Sequence, residues 1–164
     1  RRPQVRTASY VVLVAVDSAG ELLMVRRPPD GLLGGLWEFP AVEIGVEDDT
    51  PVGGRMRVED PLHGRCGARL EGLGVQLPSR MVQLRVLPEV RHTFTHLKVV
   101  YRPMLVLGAR SREQPQKGLT EERHQWVLPD HMEHLPLPVA QRRILDLALS
   151  HLYELTPPKG SNPL

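Results

Sequence analysis

Residues 31–40 read GLLGGLWEFP. Three glycines here precede Leu36, Trp37 and Phe39, with Glu38 set between the two aromatics. With Pro28, Pro29 and Asp30 upstream, the stretch reads as a Gly/Pro loop that carries bulky apolar side chains and a carboxylate. A glycine-rich loop can cradle phosphates. This one lacks both the Lys-Ser/Thr ending of a P-loop and the G-x-G-x-x-G spacing of a dinucleotide fingerprint. The plain reading is a turn that returns Leu36, Trp37 and Phe39 to a core.

Upstream, Tyr10 to Val16 is an almost unbroken apolar, Val-rich run, as expected of a strand buried on both faces. The turn Asp17-Ser18-Ala19-Gly20 and the segment Glu21 to Arg26 complete a hairpin. Residues 1–8 read as a basic linker. Downstream, Glu43 to Gly54 is acidic and irregular, an expected exposed excursion. Asp60 and Pro61 form an N-cap and first helical position. Leu62, Cys66, Leu70 and Leu73 follow at helical spacing. Gly64 and Gly67 weaken that helix, and Gly72 or Gly74 ends it. Met81 to Leu87, Val90 to Thr93, Leu97 to Leu107 and Glu122 to Leu128 read as strands. Residues 110–118 are a polar connection, and Pro129 to Leu135 a helical turn or two. Pro138 to Leu155 is the clearest helix, with Ile144, Leu145, Ala148, Leu152 and Leu155 on one face. No internal repeat is visible. The expected architecture is one mixed α/β (α+β) domain over residues 9–155, its sheet flanked by helices, with a flexible tail at 156–164.

A chain of 164 residues supports one real core. The apolar fraction of 41% and charged fraction of 24% are ordinary for a globular protein. Arg1 in place of Met is expected of a fragment or processed piece. No run approaches a membrane span and no charged-then-apolar signal opens the sequence, so no membrane partner is expected. The single cysteine, Cys66, excludes an internal disulfide and any Cys-rich zinc or iron–sulfur site within the chain. A reducing cytoplasm is the default. A formal charge of +2 permits nucleic-acid contact without requiring it.

The segment RHTFTHLKVV, residues 91–100, places His92 and His96 four apart among β-branched residues. On a helix that spacing suits zinc. On a straight strand the two would stand roughly 13 Å apart, too far for one ion. No third ligand is evident, and no metal is assigned. His131 and His134 likewise lack a partner. None of Ser18, Ser79, Ser111 or Ser150 lies in a nucleophile elbow. Cys66 belongs to an apolar stripe.

Three segments carry a family resemblance: GLLGGLWEFP, the Phe94-Thr95-His96 turn with its strand, and LPLPVA (residues 135–140) at the start of the last helix. They occur in the order found in the MutY family of adenine DNA glycosylases, whose C-terminal domain this sequence resembles over about residues 10–150. The resemblance implies a Nudix-like fold, a mixed sheet sandwiched between helices, with DNA contacts on one side.

The Nudix box, G-x5-E-x7-R-E-U-x-E-E-x-G-U with U aliphatic, clusters glutamates on a helix to hold Mg²⁺ or Mn²⁺. With its last glycine on Gly74, its first falls on Gly53 and its first glutamate on Glu59. Gly67, Ala68 and Gly72 then replace Arg and two glutamates, and Glu71 remains. One carboxylate is a poor nest for a hard divalent cation. The resemblance thus implies a degenerate box and no catalytic residue here. In the family, adenine is removed by a separate N-terminal domain carrying an iron–sulfur cluster on four cysteines. That cofactor is expected only there. The implied partners are that domain and duplex DNA with 8-oxoguanine opposite adenine, and the implied setting is base excision repair in the cytoplasm, at the nucleoid.

8-Oxoguanine differs from guanine at its Hoogsteen edge, where N7 becomes a donor and C8 gains a carbonyl. A hydroxyl on a tight turn can accept from one and donate to the other. The family's Phe-Ser-His loop corresponds to Phe94, Thr95 and His96, where Thr keeps the hydroxyl and adds a methyl. Phe94 would be wedge or anchor. His96, Arg91, His92 and Lys98 are candidates for phosphate contact. A plain β-turn, an active Nudix hydrolase on an oxidised nucleotide drawing on Glu38, Glu43, Glu47, Asp48, Asp49, Glu59 and Glu71, and a protein-interaction module are the alternatives.

Overall fold

The structure is a computed structural model, and it describes residues 5–44, 61–76, 83–111 and 123–155. In chain order its strands are β1 (Arg6–Val16), β2 (Leu22–Arg26), β3 (Trp37–Glu38), β4 (Ala41–Ile44), β5 (Val75–Gln76), β6 (Gln83–Val86), β7 (Val90–Phe94), β8 (Leu97–Leu107), β9 (Arg110–Ser111) and β10 (His124–Val127). The helices are α1 (Pro61–Gly72) and α2 (Val139–Leu155), with a 3-10 turn at Pro129–His134.

β1 organises the rest. It lies parallel to β8 along its whole length, from Arg6 opposite Leu97 to Val16 opposite Leu107. On its other side it pairs antiparallel with β4 and, at its far end, with β2. Its core segment Val11 to Ala15 is 0% exposed. A strand shielded on both faces has no solvent side to write in polar residues, which explains the unbroken apolar run. The remaining pairings give the sheet order β10, β2, β1, β8, β6, with β3 on β2 and β7 on β8.

Alternation along β1 feeds two cores. Val12, Val14 and Val16 face α2 and join Met24, Phe39, Leu105, Ile144, Leu145 and Ala148. Val11, Leu13 and Ala15 face α1 and join Leu23, Met104, Cys66, Leu70 and Leu73. The sheet therefore lies between the two helices, the sandwich the sequence predicts. Each fully buried Leu or Val contributes about 1.5–3 kcal/mol by leaving water.

The loop at 27–36 is built by its own polar groups. Arg27 donates from Nε to the Leu32 carbonyl at 3.0 Å, and Arg26 from Nε to the Gly35 carbonyl at 3.2 Å. Leu33 sits at φ 57, the one non-glycine with positive φ among the described residues. A Cβ on Gly34 would lie 2.3 Å from the Pro29 carbonyl oxygen, so only glycine fits there. The loop then delivers Phe39, whose buried N–H donates to Oε1 of Gln141 on α2 at 3.0 Å. Gln141 is the one buried polar side chain among the described residues.

Some expectations shift. Residues 6–8, read as linker, belong to β1, because β8 runs far enough to pair them in hydrogen bonds although they are not buried. Glu43 and Ile44, read as excursion, belong to β4, and Ile44 is 6% exposed. The linker's first four residues, most of the excursion, Asp60, Met81 and Val82, the polar connection from residue 112 and the tail lie outside the described residues.

Candidate nucleic-acid interface

The β7–β8 hairpin runs beyond the core. Phe94 pairs with Leu97, leaving Thr95 and His96 as a two-residue turn, both exposed. Neither has positive φ. The turn is therefore not of the primed kind that usually joins two tight strands, whose twist suits the pair best. Its position is set by β1: the Arg6 N–H donates to the His96 carbonyl at 3.1 Å. At the base, Arg143 of α2 donates from Nη1 to the Arg91 carbonyl at 3.0 Å.

Strand alternation sorts the side chains. Val90, His92 and Phe94 share one face with Val99 and Leu97 across the pair. The rings of His92 and Phe94 meet edge to face, with centroids 4.6 Å apart and planes at 72°. Both are half-buried, so Phe94 is anchored along its own strand. Arg91 and Thr93 point the other way, opposite Val100 and Lys98, and Arg91, Thr93 and Lys98 are exposed. Arg91 is engaged by Glu89, from Nε to Oε2 at 2.9 Å. The turn thus carries a hydroxyl and an imidazole into solvent, and two cations stand on one face behind them. Among the described residues no three His, Cys, Asp or Glu side chains group as metal ligands.

The box segment lies elsewhere, on α1. Cys66 and Leu70 turn inward, and Ala68 and Glu71 outward. In the frame that ends on Gly74, the aliphatic position falls on Arg69, and Leu70 takes the core. The helix stops at Gly72, and Gly74 takes φ 77, its N–H donating to the Glu71 carbonyl at 2.9 Å. Gly53 and Glu59, with Glu47, Asp48 and Asp49, lie outside the described residues. Glu38 is paired with Arg27 at 2.8 Å. Burial pushes the Cys66 thiol up to about 11, against a weaker lowering influence of Arg65.

Sequence reasoning did not find the residues that hold the hairpin. Arg6 and Arg143 reach it from other elements, Glu89 stands immediately before β7, and Arg143 lies 52 residues from the carbonyl it binds. It also missed a stacked pair in the sheet, Tyr10 and Tyr101, with ring centroids 6.0 Å apart. Burial first, then the charge of Glu43 near Tyr10 and of Glu38 near Tyr101, raises both phenols above their ordinary value. Only the β1–β8 register puts them side by side.

A mixed sheet held between two helices, with a glycine-ended helix after the WEFP turn, defines a class, and comparison with known proteins agrees. The NUDIX domain family matches residues 11–147, and the chain belongs to that family. It is 31% identical over 144 residues to the adenine DNA glycosylase of Arabidopsis thaliana, covering 85% of this chain and 22% of the relative. It is 33% identical over 101 residues to that of Homo sapiens, covering 61% of this chain and 16% of the relative. The chain therefore spans about a fifth of the length of these curated relatives. Among solved structures it resembles the C-terminal domain of mouse MUTYH, crystallised with human PCNA, at 20% identity and a TM-score of 0.59, over 93% of this chain and 98% of that one. It also resembles the E. coli ORF135 protein at 15% identity and a TM-score of 0.61, over 96% of each chain. These two likenesses are of fold.

Proposed function

We propose that this chain is the non-hydrolytic lesion-recognition domain of an A/G-specific adenine DNA glycosylase. In this reading the hairpin turn meets 8-oxoguanine opposite adenine, and a separate N-terminal domain removes the adenine. The observation that carries the reading is the exposed Thr95-His96 turn, fixed by β1 and projecting past the core. Thr95 Oγ1 accepts from the lesion's N7–H and donates to its C8 oxygen. Guanine offers an acceptor at N7 and no oxygen at C8, so the same hydroxyl gains at most one bond there. Lys98 and Arg91 supply phosphate contacts that position the duplex without reading it. The likeness to adenine DNA glycosylases supports a role in DNA repair. Base excision repair, a place at the nucleoid and an iron–sulfur cluster outside this chain are part of the proposal.

The test is Thr95→Ala in the protein that carries this chain, titrated against duplexes with 8-oxoguanine or guanine opposite adenine. The preference for the lesion falls by about 1–3 kcal/mol, the range for one good base-edge contact. Thr95→Ser keeps it. Equal loss on both duplexes, or none, would make Thr95 a turn residue and end the reading.

The second reading, a metal-dependent nucleotide hydrolase, is favoured by one observation: Glu71 stands outward on α1, where a box glutamate would be. Incubation with 8-oxo-dGTP and Mg²⁺ or Mn²⁺ separates the two. The recognition reading expects no turnover, and turnover abolished by Glu71→Gln would replace it.

A further inference from the structure

On the α1-side face of the hairpin the residues form rungs. Thr93 stands opposite Lys98, and Arg91 opposite Val100. The last paired residues are Val90 and Tyr101, so the next rung brings Glu89 level with Arg102. Glu89 touches two arginines. Its Oε2 takes the Nε of Arg91 at 2.9 Å, and its Oε1 faces the Nε of Arg102 at 3.5 Å. The arginines differ in one respect. The Arg102 side chain is 22% exposed and that of Arg91 75% exposed. A partly desolvated guanidinium needs a counter-charge, whereas exposed ion pairs contribute little and are readily exchanged. Arg91 and Lys98 are also diagonal neighbours on one face, within reach of a common ligand. The face presents cations towards the turn and a single acid behind them.

From this we infer that Glu89 is a gate on phosphate binding: it stays with Arg102 and competes with a DNA phosphate for Arg91. This rests on the DNA-recognition reading above and names the residue that tunes it. Without DNA, Arg91 is held back along the strand and the hairpin face has one fewer cation to offer. When a duplex docks at the turn, a phosphate oxygen replaces Glu89 on Arg91, and Glu89 remains beside Arg102. The effect is to lower affinity for any duplex, since a phosphate carries no sequence information. Lesion preference is left to the turn.

The experiment is fluorescence-anisotropy titration of the chain with labelled duplexes, 8-oxoguanine:adenine and guanine:adenine, at several salt concentrations. Glu89→Gln binds both duplexes several-fold tighter at low salt. Its plot of log affinity against log salt steepens by about 0.9, the slope of one added phosphate contact. In an Arg91→Ala background the Glu89→Gln change is silent. Should Glu89→Gln lose its melting transition because the carboxylate beside Arg102 is gone, Arg102→Met is added and the comparison is repeated. Unchanged affinity and slope in a folded Glu89→Gln chain, or an equal gain with Arg91 absent, sinks the gate while leaving the DNA reading in place. No binding of either duplex by the unaltered chain at any salt sinks the DNA reading, and the gate with it.

Discussion

Replacing Gln141 by Leu tests how the loop that begins at Gly31 is locked to the rest of the molecule. The Phe39 N–H and the Gln141 side chain are both buried, and their 3.0 Å hydrogen bond joins residues 102 apart. Leu is of similar bulk and apolar, so little cavity forms. What is lost is the acceptor. A buried N–H left without a partner costs about 1–3 kcal/mol. For a domain of this size that is a fall in melting temperature of roughly 2–12 °C. The neighbouring exposed Arg142, changed to Leu on the same helix, is the control and should stay within about 0.5 kcal/mol. Urea unfolding followed by circular dichroism gives both numbers, and an unchanged m-value shows that stability alone has moved. If Gln141→Leu shifts stability by no more than the Arg142 control, the N–H has another acceptor. The bond is then not what fastens the loop.

Two further outcomes follow from burial and backbone geometry. The Cys66 thiol is raised from its ordinary 9.0 to about 11 in the folded chain, so between these values the unfolded chain gives up its proton first. Stability should therefore fall as pH rises from about 9 to 11, by up to about 3 kcal/mol from this group, and Cys66→Ala should flatten that slope in denaturant melts over the same window. Among glycines, Gly34→Ala forces a Cβ against the Pro29 backbone and should destabilise. Gly67→Ala meets nothing within 4 Å and should stabilise α1 by about 0.5–1 kcal/mol, both read from thermal melts.

Much of the scaffold is legible in the sequence because burial writes itself into residue type. The run at Tyr10 to Val16 and the helix from Val139 are set by packing on both faces and on one face respectively, and both are found where their patterns lie. β3, β5 and β9 are two residues long and exist only through a partner strand, so no periodicity announces them. The same holds for the first residues of β1, exposed and paired. At the candidate interface the turn is readable, since β-branched runs on both sides leave Thr95 and His96 between them. Its supports are not. A backbone N–H of Arg6, the Arg143 guanidinium and the Glu89–Arg102 contact depend on which elements are neighbours, and that is a property of topology.

The long parallel pairing of β1 and β8 also has a consequence for how the chain reaches its fold. Strands that close over some ninety residues of intervening chain pair late, because the loop entropy must be met before any contact repays it. On a ribosome, YVVLVAV emerges well before LKVVYRPMLVL, the stretch that will cover its flank. Until then a charge-free, β-branched segment stands open to other nascent chains, the pattern that seeds aggregation. Chains truncated before residue 107 should collect in the insoluble fraction. Slowing translation ahead of that point should lower the yield of soluble protein more than slowing it afterwards.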